Sequence, residues 1–363
     1  MSSKLTVPGK LGLFVGLVIF LGALCTAQAQ VGMLKYEVDP TWPKPLPDTL
    51  VTGRAGGICV DNQDHVFEIN RGDLQEKEKL VATPAAPFIE YDADGNMVNS
   101  FGDFKTAPNS PHGCIVDKEN NMYVAGNDDS IVQKYSHDGS KMLLQIGTKG
   151  LFDSSTGLIT GIAMNQSRTL LNKPADMAID PGNGDIYIAD GYGDHRIAVF
   201  DKDGKFLRQW GRQGTKAEAA AGEGGVFMGV VHCVVMDKDG LIYVCDRQGN
   251  RIQVFDKMGN FKKNIWIKSG HEETPDSWGT AWWLRFSRDP EQKYMIVADG
   301  RNELVHILDH ATGNEITKFG RPGHQIGEFT HCHTLDVDSK GNIYVAETDI
   351  GRRVQKFKLV SGR

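Results

Sequence analysis

Three histidines occupy the same position in three repeats of the sequence. His112, His232 and His333 each stand five residues before an aspartate that closes a short apolar run. Neutral imidazoles are ligands for zinc, and also for iron and copper. Three of them with an open fourth position are typical of a catalytic metal centre rather than a closed structural one. The pattern therefore predicts a zinc centre if the fold brings the three side chains together; a single histidine would more often be a hydrogen-bonded surface residue.

A repeat of about 55 residues decides whether they can meet. Its six copies are marked by the aspartates at positions 61, 117, 180, 237, 289 and 338. Each copy carries short runs rich in Val, Ile and Tyr, bounded by Asp, Gly and Asn, which indicate strands joined by tight turns. Four-stranded units repeated radially make a β-propeller. We therefore predict an all-β, six-bladed propeller of four-stranded blades, in which the N-terminal segment 33–39 supplies the strand that the last unit lacks.

In a six-bladed propeller the three histidines would approach the central axis from three sides. They belong to the second, fourth and sixth units, and alternate blades of a six-bladed ring are about 120° apart. The equivalent positions of the other units hold Gly56, Ala175 and Leu284. These small or apolar residues leave room for a ligand on the axis.

A second set of polar residues follows the second strand of three units. Arg71, Tyr192 and Arg247 stand where that strand ends, which is the rim where the antiparallel first strand begins. An arginine beside a phenol favours its ionised form, so Tyr192 is a candidate general base. The other arginine can hold a substrate carboxylate through two parallel hydrogen bonds.

The first 29 residues have the pattern of a signal peptide. Lys4 and Lys10 precede or border an apolar run over residues 11–27, and Ala27-Gln28-Ala29 offers the small residues that a signal peptidase prefers. We predict cleavage near Ala29, a propeller over residues 30–363, and a secreted or periplasmic location. An uncleaved membrane anchor is the alternative.

The net charge of the chain limits the classes of partner that it is expected to bind. The chain has 363 residues and a formal charge of −6, which argues against nucleic acid or an anionic membrane as the partner. We expect a monomer that acts on a small molecule or a peptide C-terminus, with no nucleic acid and no membrane contact beyond the signal peptide. The five cysteines after residue 29 are an odd number, and we expect buried thiols rather than a disulfide framework.

With these residues in place, the sequence resembles the NHL-repeat propellers and, more narrowly, the peptidyl-α-hydroxyglycine α-amidating lyases. The lyase pattern matches this chain from about residue 53 to residue 359. It is carried by the motifs Arg71-Gly72-Asp73, Pro111-His112-Gly113, His232, His333, Asp190-Gly191-Tyr192 with Arg196-Ile197, and Asp246-Arg247 with the run to Gln253.

The resemblance implies a lyase of the last step of C-terminal peptide amidation. It would cleave the N–C bond of a peptidyl α-hydroxyglycine, or a similar α-hydroxy amide, to an amide and glyoxylate. His112, His232 and His333 would hold zinc. Tyr192 would take the proton, Arg71 would favour its ionised form, and Arg247 would anchor the substrate.

The resemblance also implies a structural calcium ion. Its ligands would include the backbone carbonyls of Ile58 and Cys114 and an aspartate directly after the third histidine. This chain has Thr334 at that last position, which weakens the calcium prediction.

Two other functions fit the same fold. One is a non-enzymatic NHL propeller that binds a protein or a glycan. The other is a lactonase-like, metal-dependent hydrolase, although such sites gather Glu, Asn and Asp around calcium, whereas this rim offers histidines. A propeller fold alone does not choose between them.

Overall fold

The computed structural model describes Lys4 and residues 34–268 and 278–361. Apart from Lys4, the predicted signal peptide lies outside the described residues, and its cleavage stays a prediction. The chain divides into two compact units, of which Met33–Arg363 holds all the described strands. Within the described part of the chain, no helix is long and apolar enough to cross a membrane.

The unit is a six-bladed β-propeller, as predicted. Each blade is an antiparallel four-stranded sheet. Its first strand, here called the inner strand, packs beside the inner strands of the two neighbouring blades, so the ring closes. In chain order the strands of the first three blades are Ala55–Val60, Val66–Asn70, Phe88–Tyr91 and Met97–Phe101; Pro111–Val116, Met122–Gly126, Ile131–Tyr135 and Met142–Ile146; and Asp176–Ile179, Ile186–Asp190, Arg196–Phe200 and Phe206–Trp210.

The other three blades follow the same order. Their strands are Val231–Met236, Ile242–Asp246, Arg251–Phe255 and Phe261–Trp266 in blade 4; Trp283–Phe286, Tyr294–Asp299, Leu304–Asp309 and Glu315–Phe319 in blade 5; and Cys332–Val337, Ile343–Glu347 and Arg353–Ser361 in blade 6. The fourth strand of blade 6 is the N-terminal strand Lys35–Val38, which pairs with Arg353–Ser361. This confirms the predicted closure of the last blade by the start of the chain.

Burial follows the distance of a strand from the axis. The second strand of every blade is buried along nearly its whole length, because it is covered by neighbouring blades on both faces. Outer strands such as Met142–Ile146 face solvent over most of their residues. Apolar runs therefore mark inner positions, and mixed runs mark outer ones.

The remaining elements lie in long connections. Two parallel pairs of short strands are Leu50–Val51 with Thr83–Pro84, and Arg212–Gln213 with Val226–Phe227. The helix Lys216–Ala220 begins with a capping box between Thr215 and Glu218, and Glu78–Leu80 forms one turn of 3₁₀ helix.

The structure contradicts the expectation that the cysteines are all thiols. Cys59 is bonded to Cys114, and Cys233 to Cys245, while Cys332 is a buried free thiol. Cys59 and Cys114 lie on the inner strands of blades 1 and 2, which are neighbours around the axis. Cys233 lies opposite Cys245 across one antiparallel pair. The expectation of free thiols is wrong because equivalent strands of adjacent blades face each other, so that cysteines on both strands can bond.

Candidate metal centre

The three predicted histidines come together at the centre of the ring. Each is the second residue of its inner strand. Ring centroids are 4.6 Å apart between His112 and His333, 4.9 Å between His112 and His232, and 5.1 Å between His232 and His333. One nitrogen of each ring lies within 4.8 Å of the other two, close enough for all three to hold one ion. The shared register in the sequence therefore corresponds to a shared point in space.

Hydrogen bonds orient two of the imidazoles. Nδ1 of His112 donates to the carbonyl of Ala175 over 2.8 Å, and Nδ1 of His232 donates to the carbonyl of Trp282 over 2.7 Å. Because a carbonyl only accepts, Nδ1 carries the proton and the Nε2 lone pair is left free for a metal. Nδ1 of His333 is buried without a hydrogen-bond partner.

The three imidazoles are neutral. Burial lowers the pKa of each of them well below the ordinary value, and the surrounding cationic groups, among them Arg71 and Arg247, act in the same direction. A metal requires deprotonated ligands, so no proton has to be removed from the rings before binding. The donor set fits zinc, with a fourth position open.

Tyr192 lies beside two of the histidines. Its hydroxyl oxygen is 3.0 Å from Nε2 of His232 and 3.2 Å from Nε2 of His112. Tyr192 follows the strand Ile186–Asp190, and its N–H donates to the carbonyl of Lys173. Gly191 allows this approach, because a Cβ there would be 1.8 Å from the carbonyl oxygen of Val231.

A buried cluster of charged side chains packs against the loop that carries Tyr192. The guanidinium of Arg196 contacts carboxylates of Asp190 at 3.0 Å, Asp194 at 3.1 Å and Asp153 at 3.4 Å. Burial, and then the nearby Asp190 carboxylate, raise the pKa of Asp194 to about 9. The raised pKa favours the protonated form of Asp194, which lessens the repulsion among three acids that share one cation.

The two predicted arginines make different contacts. Nη1 of Arg247 donates to the hydroxyl oxygen of Tyr192 over 3.3 Å, and its guanidinium lies 4.4 Å from the centre of the Trp282 ring. Arg71 instead donates to the carbonyl of Pro111 over 3.2 Å and to the hydroxyl of Thr348 over 3.4 Å. Both arginines are half-buried and face the same mouth.

A cavity of about 300 Å³ opens above the histidines, and six of its lining side chains are not among the predicted site residues. Trp282 is the most informative of them, because its carbonyl orients His232 and its ring lies under Arg247. The pair Trp282-Trp283, directly before the Leu284 register position, was the available signal in the sequence. The lining residues are Arg71, Tyr192, Arg247, Gln248, Trp278, Trp282, His331, His333, Thr348 and Asp349.

The residues predicted for calcium fit that ion poorly. The carbonyl of Cys114 accepts a hydrogen bond from Nη2 of Arg285 over 3.2 Å, so a cationic group already occupies it. Ile58 lies on the buried inner strand of blade 1, and the hydroxyl of Thr334 is buried, neutral and without a partner. Calcium prefers several oxygen ligands including carboxylates, and a neighbouring guanidinium would repel it.

Comparisons with known proteins show which proteins this chain is similar to. The NHL repeat model matches residues 171–200 and 230–255, which lie in blades 3 and 4. The chain is thus a six-bladed propeller with NHL repeats in two of its blades, and its sequence resembles the amidating lyases. It is 26% identical over 317 residues to peptidyl-alpha-hydroxyglycine alpha-amidating lyase 1 of Drosophila melanogaster, which covers 83% of this chain and 52% of the relative.

Two further relatives differ in what their names say. Peptidyl-glycine alpha-amidating monooxygenase A of Xenopus laevis is 27% identical over 254 residues, covering 63% of this chain and 24% of the relative. NHL repeat-containing protein 3 of Homo sapiens is 28% identical over 336 residues, covering 89% of this chain and 84% of the relative. The chain therefore spans about a quarter of the first relative and most of the second.

The solved structures support the fold alone. A streptogramin B lyase structure superposes with a TM-score of 0.54 at 12% identity, covering 90% of this chain and 98% of that chain. Identity this low transfers the propeller architecture but no residue role.

Proposed function

We propose that this NHL-repeat propeller is an exported, zinc-dependent lyase that cleaves the N–C bond of a peptidyl α-hydroxyglycine or a similar α-hydroxy amide. One observation carries the proposal: a phenol oxygen lies 3.0 and 3.2 Å from two nitrogens of a buried three-histidine cluster. The relatives that are named amidating lyases support it at modest identity.

The reaction needs a base, an anchor and an acid, but no water. A zinc ion held by His112, His232 and His333 would supply a Lewis acid for the substrate hydroxyl. Tyr192 is the general base that takes the hydroxyl proton. The electrons of that O–H bond form the C=O bond of glyoxylate, the N–C bond breaks and its electron pair stays on the amide nitrogen, which receives the proton back from Tyr192. The products are a peptide amide and glyoxylate.

The arginines supply charge where the substrate is negative. Arg247 donates to the Tyr192 oxygen and holds it beside the histidine cluster. Arg71 lies across the same cavity, where its guanidinium is placed to hold the carboxylate of the hydroxyglycine. The site thus binds an anionic chain end beside a neutral metal-binding cluster.

The proposal is tested by measuring glyoxylate released from a short peptide that ends in α-hydroxyglycine. The protein from residue 30 onward is used before chelation, after chelation and after zinc is restored. Chelator-sensitive release that zinc restores is expected, together with a loss of release in Tyr192→Phe. Tyr187→Phe is the matched control, because its hydroxyl contacts Arg208 elsewhere in the same blade.

A second candidate is a binding propeller without catalysis. It is favoured by the human relative that is named only for its repeats and that matches over 84% of its length. A protein that holds no zinc and releases no glyoxylate would support this candidate. A protein that holds zinc but releases none would keep the metal centre and discard the substrate.

A further inference from the structure

Directly beneath the histidines lies a charged pair that the proposed reaction does not use. Arg285 and Asp176 both stand four residues before the closing aspartates of their blades, at positions 289 and 180. That is one residue past the histidine register. Both side chains are buried, and they come from the inner strands of blades 5 and 3.

The two groups meet fork to fork. Nη1 of Arg285 lies 3.2 Å from Oδ2 of Asp176, and Nη2 lies 3.3 Å from Oδ1. Nη2 also donates to the carbonyl of Cys114 over 3.2 Å, on the inner strand of blade 2. The guanidinium is thus shared by three blades. A planar, permanently charged fork suits this task better than an ammonium group.

The room for this pair is provided by glycine. Gly113, at the same register in blade 2, would place a Cβ 2.9 Å from Oδ1 of Asp176 and 2.6 Å from the Trp283 ring. Gly57 holds that register in blade 1. Two blades therefore carry no side chain at the register of Asp176 and Arg285.

The pair is connected to the histidines by short paths. Asp176 follows Ala175, whose carbonyl orients His112. Oδ2 of Asp176 also accepts the N–H of Val234, two residues after His232, over 3.2 Å. A shift of the Asp176 carboxylate would therefore move two of the three histidines.

Trp283 adds a packing contact between the layers. The Arg285 guanidinium lies 4.8 Å from the centre of the Trp283 ring, and that ring is 5.7 Å from the His232 ring and 6.1 Å from the His112 ring. Outer groups of this kind set the orientation and basicity of metal ligands.

We propose that Arg285 is a built-in cation that takes the place of a bound calcium ion in the propeller axis and, with Asp176, positions His112 and His232. The guanidinium supplies the positive charge that gathers the Cys114 carbonyl and a carboxylate, so the chain needs no calcium there. Arg285 is a positioning residue, and its role toward the histidines rests on the proposed metal centre.

The first arm of the test measures calcium dependence by thermal unfolding of metal-free protein. Millimolar calcium is expected to leave the Tm of the wild type unchanged. The double variant Arg285→Ala/Thr334→Asp removes the guanidinium and restores an acidic ligand, so calcium is expected to raise its Tm. Calcium stabilisation of the wild type would overturn the proposal.

The second arm measures the histidine centre with Co²⁺, followed by its visible absorption. Arg285→Met is expected to weaken Co²⁺ binding roughly 10- to 100-fold and to change the spectrum. Arg288→Met is the matched control, because this arginine of the same blade donates to the carbonyls of Val60 and Asp61, away from the histidines. Unchanged Co²⁺ binding in Arg285→Met would overturn the positioning role.

A conservative variant guards against loss of folding. Arg285→Lys keeps the charge but not the fork, so it is expected to stay insensitive to calcium and to bind Co²⁺ more weakly than the wild type. Wild-type Co²⁺ affinity in this variant would count against the fork. Failure of the proposed metal centre looks different, because the wild type itself would then bind no Co²⁺, while the calcium arm could still be read; failure of the proposed reaction alone would leave both arms unaffected.

Discussion

Nη1 of Arg247 donates a hydrogen bond to the hydroxyl oxygen of Tyr192 over 3.3 Å, whereas both hydrogen bonds found for Arg71 go to other groups. The family resemblance implies that Arg71 supports the phenol and that Arg247 contacts the substrate. The geometry favours the reverse assignment. Arg247 follows the second strand of blade 4, next to the blade that carries Tyr192, whereas Arg71 reaches Pro111 in blade 2 and Thr348 in blade 6.

This exchange of roles predicts different kinetics for two variants. Arg247→Met removes a charge-assisted hydrogen bond to the proposed base, which is worth about 1.5–3 kcal/mol, so we expect kcat to fall roughly 10- to 100-fold. Arg71→Met should act mainly on KM, because the guanidinium faces the substrate carboxylate. Steady-state glyoxylate assays check both, with Arg208→Met as a control outside the cavity. A larger kcat loss in Arg71→Met would restore the original assignment.

Zinc should stabilise the fold as well as support the reaction. Binding to the native state at a free concentration 100-fold above Kd contributes about 2.7 kcal/mol. We therefore expect the Tm to rise by several degrees when zinc is added to metal-free protein, and His112→Ala to abolish that rise. His324→Ala, an exposed histidine, should keep it. An equal rise in both variants would place the zinc elsewhere.

Repeat structure explains which features of this chain were predictable. The sequence repeat predicts the strand order and the closure by Lys35–Val38. It also predicts that His112, His232 and His333 meet, because residues at the same position of each repeat lie at the same distance from the propeller axis. The fork between Asp176 and Arg285 also has a register, but it depends on which side chains reach each other from blades 3 and 5, which are not neighbours in the ring. The contacts of Trp282 depend on the path of an irregular connection, and no periodic signal encodes that path.

The disulfide between blades 1 and 2 also depends on contacts between neighbouring blades. Cys59 and Cys114 lie on equivalent strands of adjacent repeats. Inner strands of adjacent blades are close neighbours, so a cysteine on each can reach across. The blade order, together with the short distance between neighbouring inner strands, therefore makes this pairing predictable.

The cysteine assignment predicts a thiol count. In the chain from residue 30, Cys332 is the one cysteine left free among five. A thiol reagent should therefore detect one thiol after unfolding without reductant, and five after reduction. Because Cys332 is buried, the folded protein should react slowly. Five thiols in unreduced protein purified from an oxidising compartment would contradict the pairing.

The two bridges should differ in their effect on stability. Cys59–Cys114 closes a loop of 55 residues and Cys233–Cys245 one of 12. Loop-closure entropy then gives about 4 kcal/mol for the first and about 3 kcal/mol for the second. Urea unfolding of the paired variants Cys59→Ala/Cys114→Ala and Cys233→Ala/Cys245→Ala should show the larger loss for the first. The reverse order would mean that packing, not chain entropy, dominates.

Asp194 should make the stability of the propeller depend on pH. Its pKa is raised to about 9 by burial and by Asp190, above the ordinary value of about 3.9 for an unfolded chain. The native state therefore binds this proton more tightly than the unfolded state does. The contribution of Asp194 to the free energy of unfolding decreases as pH rises from about 4 to about 9.

Asp194→Asn removes this titration while keeping the shape of the side chain. We expect the variant to lose less stability than the wild type between neutral and alkaline pH, in urea unfolding followed by circular dichroism. Asp203→Asn, an exposed aspartate in a turn of the same blade, should behave like the wild type. A steeper alkaline loss in Asp194→Asn would mean that the ionised carboxylate, paired with Arg196, stabilises the loop that carries Tyr192.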